Sequence, residues 1–243
     1  MPVTAVLLDA TLTPQTIAGT QTMDVHEAIQ GRQSIRAFLR DKPVPRSTIE
    51  AILDVAGRAP SGSNIQPWRA WVATGDKRDE ISEACYARHL QGDQGEQEYN
   101  YYPVEWREPY IGRRRNTGWG LYGHLGIEKG DKENMALQHG RNYQFFDAPV
   151  ALFFTIDRDM ELGSWMDYGM FLQSVMLAAR GFGLETCPQA AFLKYHDTVM
   201  DLIGAPPEQM FVCAMSLGYA DDDAHVNRYR TPRLDVKEFT EFV

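Results

Sequence analysis

The 243-residue chain has only three cysteines, Cys85, Cys187 and Cys213, far apart and without a C-x-x-C pair. A disulfide framework and a zinc site are therefore not expected, and a reducing compartment fits. No apolar run approaches the roughly 20 residues needed to span a bilayer. The opening MPVTAVLLDATLTPQT has no basic n-region and no A-x-A cleavage pattern. No signal peptide is expected, and the cytoplasm is the anticipated setting. Positive charge is in deficit, with 24 Lys and Arg against 33 Asp and Glu and a net charge of −9. That balance argues against broad nucleic-acid binding. A few local arginines can still hold a phosphate on an acidic protein.

The familiar catalytic loops are missing as well. There is no G-x-G-x-x-G after a strand, no G-x-x-x-x-G-K-[ST] and no G-x-S-x-G, so neither a dinucleotide fold of that type nor a P-loop is supported. None of the six histidines (His26, His89, His124, His139, His196, His225) shows ligand spacing, and no metal is expected. With no reactive side chain marked, an organic cofactor is the expected carrier of the chemistry.

What is present is an alternation of helices and strands. Residues 1–22 are read as a flexible N-terminal arm, and 23–243 as a single domain without internal repeats. Asp24 is expected to cap a short helix to Gly31. Ser47 and Glu50 form an S-x-x-E capping box ahead of the stripe Ile49, Ile52, Leu53 and Ala56. WRAWVAT (68–74) reads as a strand, and Asp76 as the cap of a helix to Leu90. APVALFFTI (148–156) and FVCAMSLGYA (211–220) suit buried strands. Between them lie a helix over 165–180 that is apolar almost all round, a short strand LETC, and a helix KYHDTVMDLIG stopped by Gly204. The fold class is α+β or α/β. Residues 91–142 are polar, aromatic, then basic and glycine-rich. Their periodicity is weak, and they read as an insertion carrying short helices.

In GRQSIRAF, residues 32, 34 and 36 alternate, so an extended backbone points Arg32, Ser34 and Arg36 to one side. Two guanidiniums and a hydroxyl on one side suit a phosphate clamp; the alternative is a solvated basic stretch. Arg228, Arg230 and Arg233 add cations nearly two hundred residues later. They either join a common phosphate site or pair with the many carboxylates.

Between a helix and a strand stands APSGSNIQPW (59–68). At this point the chain resembles the nitroreductase family of FMN-dependent flavoproteins. RQSIR matches the family's R-x-S-x-R motif, and APSGSNIQPW its P-S-x-x-N-x-Q-P-W loop. GFGLETCPQAAF (181–192) matches the L-G-L-x-x-x-P turn after the long helix, and RTPRLD (230–235) the closing arginine motif. The four pieces fall in order from about residue 23 to the end.

The resemblance implies an α+β, three-layer α/β fold: a central, mainly antiparallel sheet flanked by helices, with the 165–180 helix at the core of a homodimer. It implies FMN at the subunit interface. Arg32, Gln33, Ser34 and Arg36 would hold phosphate and ribityl groups. Arg233, with Arg230 second and Arg228 weaker, would complete the phosphate site. Pro60, Ser61, Gly62, Ser63 and Asn64 would come from the other subunit. Pro188, Gln189, Ala190 and Ala191 would present backbone to the flavin ring, and Asn142 would supply an amide.

The insertion, about 91–142, resembles the subgroup containing nitrobenzoate and dinitroaniline-herbicide reductases, and would act as a lid. Its aromatics Tyr101, Tyr102, Trp106, Tyr110, Trp119 and Tyr122 would stack on an aromatic substrate. Arg113, Arg114 and Arg115 would steer the NADPH phosphate or an anionic substrate. The alternative for both sets is a solvated loop with aromatics packed on the core. The implied activity is NAD(P)H-driven reduction of nitroaromatic compounds in two-electron steps, nitro to nitroso to hydroxylamine, by ping-pong kinetics and without a catalytic side chain. The alternatives are another acceptor on the same scaffold (quinone, enone or halogenated aromatic) or a non-enzymatic FMN-binding protein.

Overall fold

The apolar runs pair into one sheet. A computed structural model of the chain describes residues 23–243; the expected N-terminal arm, 1–22, lies outside them. The strands are β1 (Arg69–Thr74), β2 (Val150–Asp157), β3 (Glu185–Gln189) and β4 (Gln209–Gly218), in the order β1-β2-β4-β3. All three pairings are antiparallel. The central strands β2 and β4 are the two nearly continuous apolar runs, as burial on both faces requires. A register shift between Phe154 and Thr155 marks a bulge in β2.

Alternation along the strands divides the core into two layers. Ala151, Phe153, Phe211 and Ala214 face α3 (Gly75–Leu90) and α7 (His196–Ile203), meeting Ile81, Cys85 and Val199. Leu152, Phe154, Ile156, Val212 and Met215 face α2 (Arg46–Ala56) and α6 (Leu162–Gly181), meeting Ile49, Ile52, Phe171, Val175 and Ala179. The molecule is therefore the expected three-layer sandwich. Helix α1 (Val25–Gly31) is capped by Asp24, which accepts the His26 backbone N–H at 2.8 Å. Gly204 stops α7 in the left-handed region at φ 68°.

Three expectations need correction. The capping box at Ser47 does not form: α2 starts one residue earlier, at Arg46 after Pro45, without a side-chain cap. Proline's fixed φ is preorganised for a helix start, and it places Ser47 inside the first turn. Asp76 likewise sits inside the first turn of α3, whose N-cap is Thr74. Helix α6 begins three residues before 165, at Leu162; Leu162 and Met166 are 84% and 69% exposed on the single chain. The insertion carries α4 (Tyr110–His124) and α5 (Lys132–Gly140). Four glycines within α4 weaken its helical signature. One of them, Gly120, is required by packing: a Cβ there would lie 2.3 Å from the Tyr229 hydroxyl oxygen. Among the described residues no helix is long and apolar enough to cross a membrane.

Candidate functional site

Arg32 leaves α1 in an extended conformation, and the chain from there runs beside β3. Ser34 bridges Thr186, and the Ile35 N–H donates to the Thr186 carbonyl at 3.1 Å. The course is extended, the backbone conformation on which the expected alternation of Arg32, Ser34 and Arg36 rests. Arg36 turns back to donate to the Ser34 carbonyl at 3.2 Å. The C-terminal segment closes on the same strip. Arg230 donates to the Gly31 carbonyl at 3.2 Å. Arg233 donates to the Thr231 hydroxyl at 2.7 Å and lies within electrostatic reach of Arg32. Burial, and then the neighbouring Arg233, pull the Arg32 guanidinium below its ordinary pKa, while Glu185 opposes them. Arg228 is exposed and has no hydrogen bond into this patch among the described residues. Sequence elements two hundred residues apart thus converge on one cationic patch.

Two residues that the sequence reading overlooked organise it. Asn227 is buried; it accepts the Arg36 N–H at 2.8 Å and donates to the carbonyls of Ala37 and Asp221 at 2.8 and 2.9 Å. Its own carbonyl takes the Gln33 amide at 2.9 Å. Glu185 pairs with Arg180 of α6. Among the described residues, the buried side-chain polar atoms without a partner are Gln33 Oε1, Arg180 Nε, Glu185 Oε2 and Thr186 Oγ1. All four belong to this patch. Buried polar groups are normally satisfied, so their concentration here marks a site that wants a polar ligand. The surrounding guanidiniums suit the phosphate of FMN as donors, and acceptors such as Gln33 Oε1 suit its ribityl hydroxyls.

At the far end of β3, Pro188 is exposed, and Ala190 and Ala191 are half-buried. The Gln189 side chain points inward, accepting from the Ser216 hydroxyl at 2.8 Å and donating to the Asn142 carbonyl at 2.7 Å. Asn142 is thereby tied to the strand end, while its own amide donates to the His139 carbonyl at 2.9 Å. Behind it, Phe145, Phe146 and Asp147 all have positive φ, 53°, 53° and 68°. Left-handed conformations of non-glycine residues cost on the order of 1–3 kcal/mol each. Buried Arg78 holds this turn by donating to the carbonyls of Gln144 (2.7 Å) and Ala148 (3.1 Å).

The 60–68 loop lies on α6. The Gly62 N–H donates to buried Asp167 at 3.0 Å, and Trp68 stacks on Phe171 at 4.7 Å and 3°. Ser63 and Asn64 adopt positive φ (50° and 59°), and Pro60, Gly62, Ser63 and Asn64 are exposed. The loop is thus anchored from behind, with its small residues outward.

The insertion aromatics divide into groups. Arg114 lies over the rings of Trp106 (4.7 Å) and Tyr102 (5.5 Å), and Tyr102 packs on Tyr101. Tyr110 sits under Arg107 and Arg113, at 4.8 and 5.6 Å. Trp119 and Tyr122, 6.0 Å apart, line a cavity of ≈340 Å³ with Ile111, Arg114, Arg115, Gly118 and Met135. Helix α4 docks on the C-terminal segment: the Tyr229 hydroxyl donates to the Thr117 carbonyl at 3.2 Å, and His124 stacks on His225 at 4.0 Å. A larger cavity, ≈860 Å³, lies between α2, β1 and the start of α3. None of the expected site residues lines it.

Residues 29–219 match the sequence profile of the Nitroreductase family. The chain is 40% identical over 224 residues to a 4-nitrobenzoate reductase of Pseudomonas putida, covering 91% of this chain and 96% of the relative. It is 40% identical over 220 residues to a chloronitrobenzene nitroreductase of Comamonas testosteroni, covering 90% and 96%. Among solved structures, the FMN and NADPH-dependent nitroreductase NfnB from Sphigopyxis sp. strain HMH superposes with a TM-score of 0.88 at 39% identity, covering 91% of this chain and 99% of that one.

Proposed function

The chain belongs to the nitroreductase family, and from that premise we propose that it is an FMN-dependent oxidoreductase that uses NAD(P)H to reduce nitroaromatic compounds. The reduction proceeds in two-electron steps, nitro to nitroso to hydroxylamine, with donor and acceptor using one site in turn. The observation that carries this reading is the patch where Arg32, Arg230 and Arg233 meet the partnerless polar atoms of Gln33, Glu185 and Thr186. It is a phosphate-and-hydroxyl site beside a strand end that leaves Pro188 exposed.

FMN bound there supplies the two-electron chemistry at its N5. The chain's own residues bind and orient it. Arg32, Arg36, Arg230 and Arg233 would hold the phosphate by charge-assisted hydrogen bonds. Gln33 Oε1 and Ser34 would receive ribityl hydroxyls. The backbone of 188–191 would face the ring, with Gln189 fixed by the Ser216 hydroxyl and the Asn142 carbonyl.

The working unit is a homodimer in the cytoplasm. Exposed Val25 and Ile29 on α1, Leu162 and Met166 on α6, and Phe239 and Phe242 in the tail support a second copy covering these faces. The outward residues Pro60, Ser61, Gly62, Ser63 and Asn64 then complete the other protomer's site. The insertion closes over the acceptor, with Trp119 and Tyr122 as its aromatic wall. Tyr102, Trp106, Tyr110 and Arg113 form its outer layer.

The test is an air-free assay of the FMN-loaded protein with NADPH or NADH and a panel of 4-nitrobenzoate, nitrobenzene, a quinone and an enone. Identification of the hydroxylamine from the nitro compounds is the expected outcome. Turnover of the quinone or enone with the nitro compounds untouched overturns the reading.

A further inference from the structure

Among the described residues, Glu185 is the carboxylate that acts on Arg32 in the arginine patch. It opens β3, paired across to Gly218 of β4. Arg180 of α6 holds its Oε1. Arg32, after α1, and Arg230, in the tail, act on it electrostatically, and Arg233 acts in turn on Arg32. On its own strand the nearest titrating neighbour is Cys187, whose thiol burial pushes up to about 11. Its second oxygen, Oε2, is buried without a partner. A phosphate dianion docking on Arg32, Arg230 and Arg233 neutralises the charges that favour the ionised carboxylate, and it adds a like charge nearby.

We propose that Glu185 is a proton-accepting counter-charge of this site: a proton from solvent passes to Glu185 Oε2 as the phosphate group binds, so FMN binding is coupled to proton uptake. The partnerless oxygen then becomes an O–H donor, and the phosphate meets a neutral acid instead of an anion. Burial already lifts the Glu185 carboxyl above its ordinary pKa, against the pull of Arg180, Arg230 and Arg32. The remaining shift is what the ligand supplies. Uptake on binding means that affinity falls as pH rises through the window between the free and bound pKa values. This is opposite in sign to the phosphate's own second ionisation near pH 6, which favours binding as pH rises. The inference rests on reading the patch as the FMN phosphate site.

The experiment is calorimetric titration of the flavin-stripped full chain with FMN near pH 7.5, where the phosphate is already a dianion. Two phosphate-free buffers of different ionisation enthalpy are used, and riboflavin, which lacks the phosphate, is the control. Wild-type protein should take up a substantial fraction of a proton with FMN and none with riboflavin, and Glu185→Gln should abolish the uptake. FMN affinity should weaken with rising pH by up to tenfold per pH unit in wild type, the limit for one proton, and stay flat in Glu185→Gln. Equal uptake with FMN and riboflavin, or unchanged uptake in Glu185→Gln, overturns the inference. The ligand comparison decides it even if that variant does not fold. FMN binding without proton uptake sinks this inference alone; absence of FMN binding sinks the phosphate-site reading and this inference with it.

Discussion

Asn227 accepts the backbone N–H of Arg36 at 2.8 Å across 191 residues of chain. That bond and two companions, to Gln33 and to the Ala37 carbonyl, fasten the C-terminal segment to the R-Q-S-I-R strip, so the arginines of both arrive at one place. Asn227→Ala leaves the Arg36 N–H without a partner, while the carbonyls of Ala37 and Asp221 keep the N–H groups of Asp221 and Ala224 at 3.0 and 3.2 Å. Each buried group left unsatisfied costs about 1–3 kcal/mol. The variant should lose about 1–3 kcal/mol of stability in urea unfolding, and FMN affinity should fall by at least about tenfold. A variant with wild-type flavin affinity would remove Asn227 from the account.

Gly120 and Tyr229 make the corresponding contact for the insertion. Gly120→Ala drives a methyl to 2.3 Å from the Tyr229 oxygen, and overpacking of this kind costs about 1–3 kcal/mol. Displacement of α4 should raise KM for the nitroaromatic acceptor by about tenfold, with FMN still bound. Tyr229→Phe in the same chain removes the clashing oxygen and should recover most of the loss. A double-mutant cycle measures this coupling. An unchanged KM in Gly120→Ala argues against α4 as a lid.

The three thiols should be silent. All are buried and free. Burial pushes Cys187 up to about 11, and Cys85 and Cys213 up to about 12, from an ordinary 9.0. A disulfide reagent at pH 8 should label none of them in the native protein in the time it labels all three after unfolding. The native state keeps these protons above pH 9, where the unfolded chain releases them. Stability should therefore decline as pH rises from about 9 toward 11. Fast labelling of Cys187 would contradict its burial beside the Arg32–Arg36 strip.

Much of this was legible in the sequence because it is periodic or punctuated. β2 and β4 declare themselves as apolar runs, and Asp24 and Gly204 as helix ends. The alternation of Arg32, Ser34 and Arg36 marks one side of an extended segment. The insertion helices hide because α4 trades helix formers for glycines, and at Gly120 the reason is a neighbour far away in sequence. Arg78, Glu185 and Asn227 are harder still. Arg78 and Asn227 are fixed by partners distant in sequence, of which local pattern carries no trace, whereas Glu185 pairs with Arg180 five residues away. A charge inside the strand LETC was the available signal for Glu185. Pro45 defeated the capping box because a proline start and a serine cap compete for the same turn.

The most direct test separates the two halves of the cycle. FMN-loaded protein is mixed with NADPH in the absence of air, and the flavin's visible absorbance is followed; the nitroaromatic is then added in a second mixing step. The account predicts bleaching by NADPH, recovery of the colour on addition of 4-nitrobenzoate or nitrobenzene, and rates of the two steps that match steady-state turnover. A flavin that NADPH and NADH leave oxidised, or a reduced flavin that the nitro compound leaves bleached, contradicts it.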